Sequence, residues 1–203
     1  MTDENQDQTP DETRERILQA AGELFMERGY VRATTRAIAE AAGVNEVTLF
    51  RHFGSKRNLL RELVQTHSAI PDFIDLVEKR LGNDYRGDLT VLGTAFFRAL
   101  TERRDALRLM LCEADEVPEV REIMAQIPGQ LRQLTMRYIQ RHIAAGAVRD
   151  LGAEYMAQAF LGMFFAYIVG SNMLDSPAVP DASPEDLIAV FVDIFIQGTL
   201  AQS

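Results

Sequence analysis

The sequence predicts an all-α protein, with three helices near the N-terminus and a larger helical region after them. Apolar residues recur at the three- and four-residue spacing of an amphipathic helix, and the first such stripe is Ile17, Ala20, Ala21, Leu24 and Phe25. No window shows the sustained alternation of apolar and polar residues that is typical of a half-buried strand. With 203 residues, of which 47% are apolar, the chain is long enough to bury a core.

The first helix has a signal at each end. Thr9 is the expected N-cap, Pro10 fits the first turn, and Gly29 is the expected terminator. The residues before it, 1–9, are polar and acidic, so we expect a disordered tail that is neither a secretory signal nor a transit peptide. On that basis the sequence predicts a cytoplasmic protein.

Two further helices follow directly and are separated by a glycine turn. The second opens at Thr34 or Thr35 and closes at Gly43, and the third begins with Asn45 as its cap and ends near Phe53. A short helix, a tight turn and another short helix form a helix-turn-helix, whose last helix enters the major groove of DNA. The sequence therefore predicts double-stranded DNA as a partner.

The charge of the chain is unevenly distributed. The formal net charge is −9, yet residues 30–60 carry five Lys or Arg and two Asp or Glu side chains, a local surplus of +3 (5 − 2). Because the remainder repels polyanions, we expect only one face to contact DNA. The expected boundaries are residues 10–55 for the DNA-binding domain and 56–203 for the second domain.

The second domain is expected to be entirely helical. The predicted helices are 56–69, 72–81, 88–102, 104–114, 119–145 with an interruption or bend at Pro128, 151–173 and 184–200. Residues 155–174 lack any charged side chain, but the wholly apolar run, Ala159–Gly170, has only twelve residues. Since a membrane-spanning helix needs about 20 apolar residues, we expect a helix that is buried on nearly all sides, in part by another subunit.

The N-terminal motifs resemble one known family. The string TTRAIAEAAGVNEVTLFRHFGSKRNLL, together with the preceding ILQAAGELFMERGY, resembles the DNA-binding signature of the tetracycline-repressor (TetR) family of bacterial transcriptional regulators. The resemblance covers about residues 13–63. It implies a helix-turn-helix domain followed by a helical domain that binds an effector and forms a dimer.

The resemblance also implies which residues contact DNA. Contacts to phosphates are expected from Thr34, Thr35, Arg36 and Lys56. Base edges are expected to face Asn45, Glu46 and Thr48, and the exposed positions Arg51 and His52 can reach bases or phosphates.

Three positions depart from the usual pattern of the family. Phe50 stands where a tyrosine hydroxyl commonly meets a phosphate, so that hydrogen bond is absent. Val47 occupies a place that a small residue often holds. Glu46 can accept a hydrogen bond from cytosine N4, but its carboxylate also repels phosphates, and both outcomes stay open. The operator sequence therefore cannot be copied from relatives.

The second domain is rich in phenylalanine and methionine, which core packing alone can explain. The resemblance implies instead that some of these side chains line a pocket for a small, largely apolar effector. The candidate pocket residues, including polar groups that would orient the ligand, are Phe96, Arg108, Met110, Glu113, Met124, Tyr138, Phe160, Phe164 and Tyr167.

Two helices are expected to pair subunits. The helix at 151–173 carries a stripe of small residues, and the helix at 184–200 has a broad apolar face. Two such helices from each subunit can form a four-helix interface around a twofold axis. The candidate interface residues are Ala159, Gly162, Ala166, Gly170, Leu187, Phe191, Ile194 and Phe195. The alternative is that these residues belong to the core of a monomer.

These expectations define a dimeric repressor that binds a palindromic operator and is released by its effector. Activation in place of repression is an alternative that the sequence leaves open. An enzyme with an apolar pocket is an alternative, although no catalytic, cofactor or metal motif is visible and no cofactor or metal is expected. Another is a redox-responsive regulator acting through Cys112, the single cysteine, which we expect to be a buried thiol.

Overall fold

The computed structural model describes residues 10–67, 69–173 and 183–201, and this part of the chain is helical. In chain order the helices are α1 (Pro10–Arg32), α2 (Thr35–Ala41), α3 (Glu46–Phe53), α4 (Lys56–His67), α5 (Ile70–Asp75), α6 (Tyr85–Glu102), α7 (Arg104–Glu116), α8 (Pro118–Ala144), α9 (Ala153–Ile168) and α10 (Pro184–Thr199). The tail and the cap Thr9 expected from the sequence lie outside the described residues.

The chain forms two compact units. The N-terminal unit comprises Met1–Ser68 together with Leu109–Ile123, and the C-terminal unit comprises Ala69–Arg108 together with Met124–Ser203. These bounds differ from the boundary at residue 55 expected from sequence. The end of α7 and the start of α8 pack in the N-terminal unit, although they are distant from it in sequence.

The N-terminal unit is organised by α1, which packs against α2 and α4. Its apolar stripe is buried, as the periodicity predicts, with Ile17 and Ala21 fully inaccessible and Phe25 1% exposed. Helix α2 packs on α3, and Leu49 of α3 is fully buried. The recognition helix is therefore fixed by its inner side chains.

The C-terminal unit is built around α6, α9 and α10, which pack against one another. At Gly93 of α6, an added Cβ would lie 2.8 Å from Cζ of Phe164 and 3.4 Å from Cγ2 of Ile188. Because those two residues belong to α9 and α10, the absence of a side chain at Gly93 lets three helices approach closely. Phe164 is completely buried in the core that results.

A polar cluster lies within this core. The hydroxyl of Tyr138 donates to Asp88 (3.0 Å), and the hydroxyls of Tyr85 and Thr199 are 3.2 Å apart. The imidazole of His142 lies 4.7 Å from the Tyr138 ring and 4.9 Å from the Tyr85 ring. Burial raises the pKa of Tyr138 and lowers the pKa of His142. Burial therefore favours the neutral form of both side chains.

Some predicted boundaries shift. Helix α8 continues through Pro128 without a break, α6 begins at Tyr85, and α9 begins at Ala153. Two π-helical turns extend α5 and α9, over Leu76–Arg80 and Val169–Met173.

Gly29 breaks α1 as predicted, with φ of +77°, and a short helical turn follows it as far as Arg32. Among the described helices, none combines the length and apolar character needed to cross a bilayer. Burial of α9 on nearly all sides is not seen in the single chain, since Ala159, Phe165 and Ala166 are exposed.

Candidate nucleic-acid interface

The helix-turn-helix is held by two side-chain caps and a glycine. Thr34 Oγ1 accepts from the backbone N–H of Ala37 (3.1 Å) at the start of α2, and Asn45 Oδ1 accepts from that of Thr48 (2.8 Å) at the start of α3. Gly43 makes the turn between them with φ of +66°. These caps satisfy N–H groups that a helix start leaves unpaired. Asn45 therefore acts as the cap that the sequence predicts.

Helix α3 has an anchored face and an open face. Leu49 and Phe53 are buried, whereas Val47 is 77% exposed and Phe50 is 44% exposed. Arg51 is also exposed, and Thr48 and His52 are half-buried. The open face is thus mixed apolar and cationic, which suits thymine methyl groups, base edges and phosphates.

An open depression of about 350 Å³ lies between α2 and α3. Its polar lining consists of Arg36, Glu40, Asn45 and Glu46. Two of these residues, Asn45 and Glu46, are predicted to face base edges. The structure therefore brings predicted phosphate- and base-contacting residues together at one surface.

Glu46 is already engaged within the protein. Its Oε1 accepts a hydrogen bond of 2.5 Å from the hydroxyl of Thr35. This contact orients the carboxylate and leaves Oε2 as a further acceptor. It also occupies the Thr35 hydroxyl that the sequence assigns to a phosphate, so such a contact would fall to the backbone N–H at the start of α2.

The three predicted phosphate-binding cations differ in their surroundings. Among the described residues, Arg36 and Arg51 are exposed and have no ion pair. Lys56 is half-buried: its Nζ donates to the carbonyl of Val31 (3.2 Å) and lies 4.5 Å from the centre of the Tyr30 ring. Burial lowers the pKa of Lys56, and the nearby Glu113 carboxylate opposes that shift.

Some residues that the sequence did not single out stabilise the packing of the helices around α3. Arg14 pairs with Glu62 and lies over the Phe53 ring at 5.5 Å, which ties α1 to α4 and to the end of α3. Arg57 of α4 pairs with Glu122 of α8. The two residues of each ion pair are far apart in the sequence, and no local pattern marks them as partners. Only the fold therefore reveals these pairs.

The candidate effector residues fall in different places. Phe96, Tyr138, Phe160 and Phe164 are buried in the C-terminal unit, where Tyr167 and Met124 are half-buried. Arg108 is exposed. Met110 and Glu113 belong instead to the N-terminal unit, where the carboxylate of Glu113 contacts the backbone N–H of Tyr30. The structure therefore groups Phe96, Tyr138, Phe160 and Phe164 into one aromatic cluster.

The candidate dimer residues separate into inner and outer faces. Leu187 and Phe195 lie in the core of the C-terminal unit, and the Phe195 ring lies 5.1 Å from that of Phe160. Ile194 is 58% exposed and Phe191 is half-buried. The small residues of α9 lie outside the core as well, with Ala159 and Ala166 exposed and Gly162 and Gly170 half-buried.

Cys112 requires a correction. The sequence predicts a buried thiol, because a solitary free cysteine is usually buried, but the structure exposes Cys112 on α7. The buried face of that helix instead includes Met110.

Comparisons with known proteins agree with this geometry. Residues 17–63 match the family described as bacterial regulatory proteins, tetR family, and residues 87–198 match the AefR-like transcriptional repressor, C-terminal domain. The HTH-type transcriptional regulator YvkB of Bacillus subtilis is 31% identical over 194 residues, covering 93% of this chain and 98% of YvkB. The transcriptional activator FasR of Mycolicibacterium smegmatis is 34% identical over 119 residues, covering 58% of this chain and 52% of FasR.

Solved structures show the same fold. A TetR-family regulator from Mesorhizobium loti superposes with a TM-score of 0.75 at 20% identity, covering 96% of this chain and all of that one. FadR from Bacillus subtilis, in complex with stearoyl-CoA, superposes with a TM-score of 0.70 at 20% identity, covering 91% and 98% of the two chains. The chain belongs to the TetR family of bacterial transcriptional regulators.

Proposed function

We propose that this regulator is a homodimer that binds a near-palindromic operator, represses transcription and is released by a small, largely apolar effector. The observation that carries the proposal is the open face of α3. Leu49 and Phe53 hold the helix from inside, while Val47, Phe50 and Arg51 are exposed.

Sequence readout is assigned to the N-terminal half of α3. Asn45, Glu46 and Thr48 would face base edges, and the Thr35 hydroxyl would hold Glu46 so that Oε2 accepts from cytosine N4. Phosphate contacts are assigned to Thr34, Arg36, Arg51, His52 and Lys56, and to Thr35 through the backbone N–H at the start of α2. Arg36 and Arg51 would need to break no ion pair within the described protein to make them.

Dimer formation is assigned to the outer faces of α9 and α10. Val190 and Ile194 of α10 are 54% and 58% exposed, and Phe165 of α9 is 38% exposed beside the small residues Ala159 and Ala166. Burial of these apolar side chains against a second copy would remove them from water. A twofold dimer presents two recognition helices roughly 34–36 Å apart, which matches an operator with inverted half-sites.

Effector binding is assigned to the aromatic cluster of the C-terminal unit. The rings of Phe96 and Phe164 lie 6.4 Å apart, and Phe191 contacts both Phe164 (5.3 Å) and Tyr167 (6.1 Å). An apolar ligand would have to separate such rings, at the expense of their mutual packing. The FadR structure with stearoyl-CoA supports a long apolar ligand for a fold of this kind.

Repression is favoured over activation by the match of residues 87–198 to a repressor C-terminal domain. The relatives include both kinds, since FasR is named an activator and KstR2 of Rhodococcus jostii, 27% identical over 146 residues, a repressor. An operator that overlaps the promoter of the regulated gene would support repression.

The proposal is tested by fluorescence anisotropy with a DNA site selected from a random library. Arg51→Ala should weaken binding to all sequences. It should also reduce the magnitude of the slope of log K against log salt by about 0.9, the contribution of one phosphate contact. Arg137→Ala, which removes an exposed cation from α8, is the matched control and should change neither. Equal salt slopes for both variants would contradict the assignment of Arg51.

A further inference from the structure

One carboxylate from α7 caps a backbone turn in α1. Both Oε1 and Oε2 of Glu113 lie 2.8 Å from the backbone nitrogen of Tyr30, 83 residues away in sequence. Gly29 interrupts α1, and the hydrogen bond from Ala33 N to Gly29 O (3.2 Å) closes a new helical turn. Tyr30 is the first residue of that turn, so its N–H has no acceptor within the helix. Glu113 therefore acts as an N-cap supplied by another helix.

Gly29 makes room for this carboxylate. A Cβ at Gly29 would lie 2.1 Å from Oε1 of Glu113, far inside contact distance, and its φ of +77° already disfavours any other residue. The glycine thus serves two purposes at once. It permits the backbone turn and it permits the close approach of Glu113.

The same turn is held from the other side by Lys56. Its ammonium donates to the carbonyl of Val31 and lies over the ring of Tyr30. Lys56 is the first residue of α4, which follows α3 after Gly54 and Ser55. The Gly29–Tyr30 turn therefore connects α1, α4 and the segment Leu109–Ile123 within one compact unit.

The segment Leu109–Ile123 is also linked to α4, through a weaker contact. The ion pair of Arg57 with Glu122 has side chains that are 42% and 61% exposed, and exposed pairs contribute little to stability. The contact of Glu113 with Tyr30 is partly buried and joins a charged acceptor to a backbone donor, which makes it the stronger of the two.

We propose that Glu113 is a positioning residue for operator binding. By capping the Gly29–Tyr30 turn it fixes Lys56 and α4, and through them the recognition helix α3, in the arrangement that binds DNA. The inference rests on the proposed function, because it needs an operator to act on. It means that the DNA-binding machinery includes part of α7 and is not complete within α1–α4.

The test compares full-length Glu113→Ala, Glu113→Gln and Glu116→Gln for binding to the selected operator. Glu116 is an exposed acid on the same helix and serves as the control. Glu113→Ala should weaken the operator Kd by roughly tenfold, which is near the lower end of what the loss of one hydrogen bond to a charged group costs. Glu113→Gln keeps an acceptor oxygen and should retain more affinity, while Glu116→Gln should bind as the original protein does.

Two readouts separate positioning from other roles. The salt slope should stay unchanged in Glu113→Ala, because no phosphate contact is removed. Amide exchange at Tyr30 should accelerate in Glu113→Ala and not in Glu116→Gln. The active fraction, measured by stoichiometric titration, shows whether the variant is folded. Gly29→Ala, which displaces the carboxylate from the opposite side, provides a second variant and should weaken the Kd in the same way.

The inference is overturned if Glu113→Ala binds the operator within twofold of the original protein, whatever the result for Gly29→Ala, because alanine at a φ of +77° strains the backbone by itself. It is also overturned if binding by Glu113→Ala falls only in proportion to a reduced active fraction, with the Kd of the active molecules unchanged. Failure of the proposed function would look different, because the original protein itself would then show no preference for any selected site.

Discussion

Gly93→Ala tests the close packing of α6 against α9 and α10. The new Cβ would lie 2.8 Å from Cζ of Phe164, whose ring is fully buried. The rings of Phe96, Phe160 and Phe191 lie 5.3–6.4 Å from that ring, so a shift of Phe164 would disturb its packing against three other rings. Overpacking of this kind typically costs about 1–3 kcal/mol.

The helix propensity of alanine acts in the opposite direction. Replacing glycine with alanine inside a helix stabilises it by about 0.8–1.0 kcal/mol, so the net effect of Gly93→Ala is a loss of up to about 2 kcal/mol. Gly129 lies within α8, and a Cβ there would meet nothing within 4 Å. Gly129→Ala is therefore the matched control and should show only the gain.

The assay is urea unfolding of both variants and the original protein at one protein concentration, because the proposed dimer would make stability depend on concentration. The two variants should differ by about 1–3 kcal/mol, with Gly93→Ala the less stable. For a chain of this size that difference corresponds to about 2–12 °C in Tm. Equal stability of the two variants would refute the packing described for α6, α9 and α10.

Three further predictions concern base readout, dimer formation and pH. Thr48→Ala should alter which half-site is selected without changing the salt slope, and an unchanged consensus would show that Thr48 reads no base. Ile194→Asp should yield monomers in sedimentation experiments, whereas Val91→Asp on α6, also at an exposed apolar position, should not; a stable Ile194→Asp dimer would rule out this interface. Stability should fall as pH decreases below about 6.5, because burial lowers the pKa of His142 and the unfolded chain takes up its proton first. Asp88 opposes this shift and Arg141 adds to it, and His142→Gln should show a smaller change in urea midpoint between pH 8 and pH 6 than the original protein.

Local signals were sufficient to predict the helix-turn-helix. Cap residues act within three positions of themselves, so Thr34 and Asn45 could be read directly from the sequence, and both cap their helices. Gly29 could likewise be identified as a break, since positive φ favours glycine. The family signature added the roles of the outward residues, which periodicity alone does not supply.

Contacts between distant residues could not be predicted. Glu113 and Tyr30 are 83 positions apart, and nothing near either residue marks the other. For the same reason the sequence gives no sign that Glu113 contacts Tyr30 or that Leu109–Ile123 belongs to the N-terminal unit. The exposure of Cys112 was missed because the helix LMLCEAD has apolar residues on more than one face, and only the packing shows which face is buried.

For α10, too, the sequence pattern does not show which apolar side chains are buried within the subunit. Leu187 and Ile194 are seven residues apart and share a face by periodicity, yet Leu187 is 5% exposed and Ile194 is 58% exposed. The subunit core covers Leu187 and Phe195 of this stripe and leaves Ile194, between them in sequence, exposed. A sequence pattern therefore identifies α10 as apolar, but it does not separate the side chains that pack inside the subunit from those available to a partner.

The central claim is that the open face of α3, in twofold pairs, reads an operator. Selection of binding sites from a random duplex library by the full-length protein, with the protein-to-DNA ratio determined by native mass spectrometry, tests it most directly. The expected result is an inverted repeat with half-sites about one helical turn apart and an even number of subunits per site. Selection of no consensus, or of a single half-site bound by one subunit, would contradict the account.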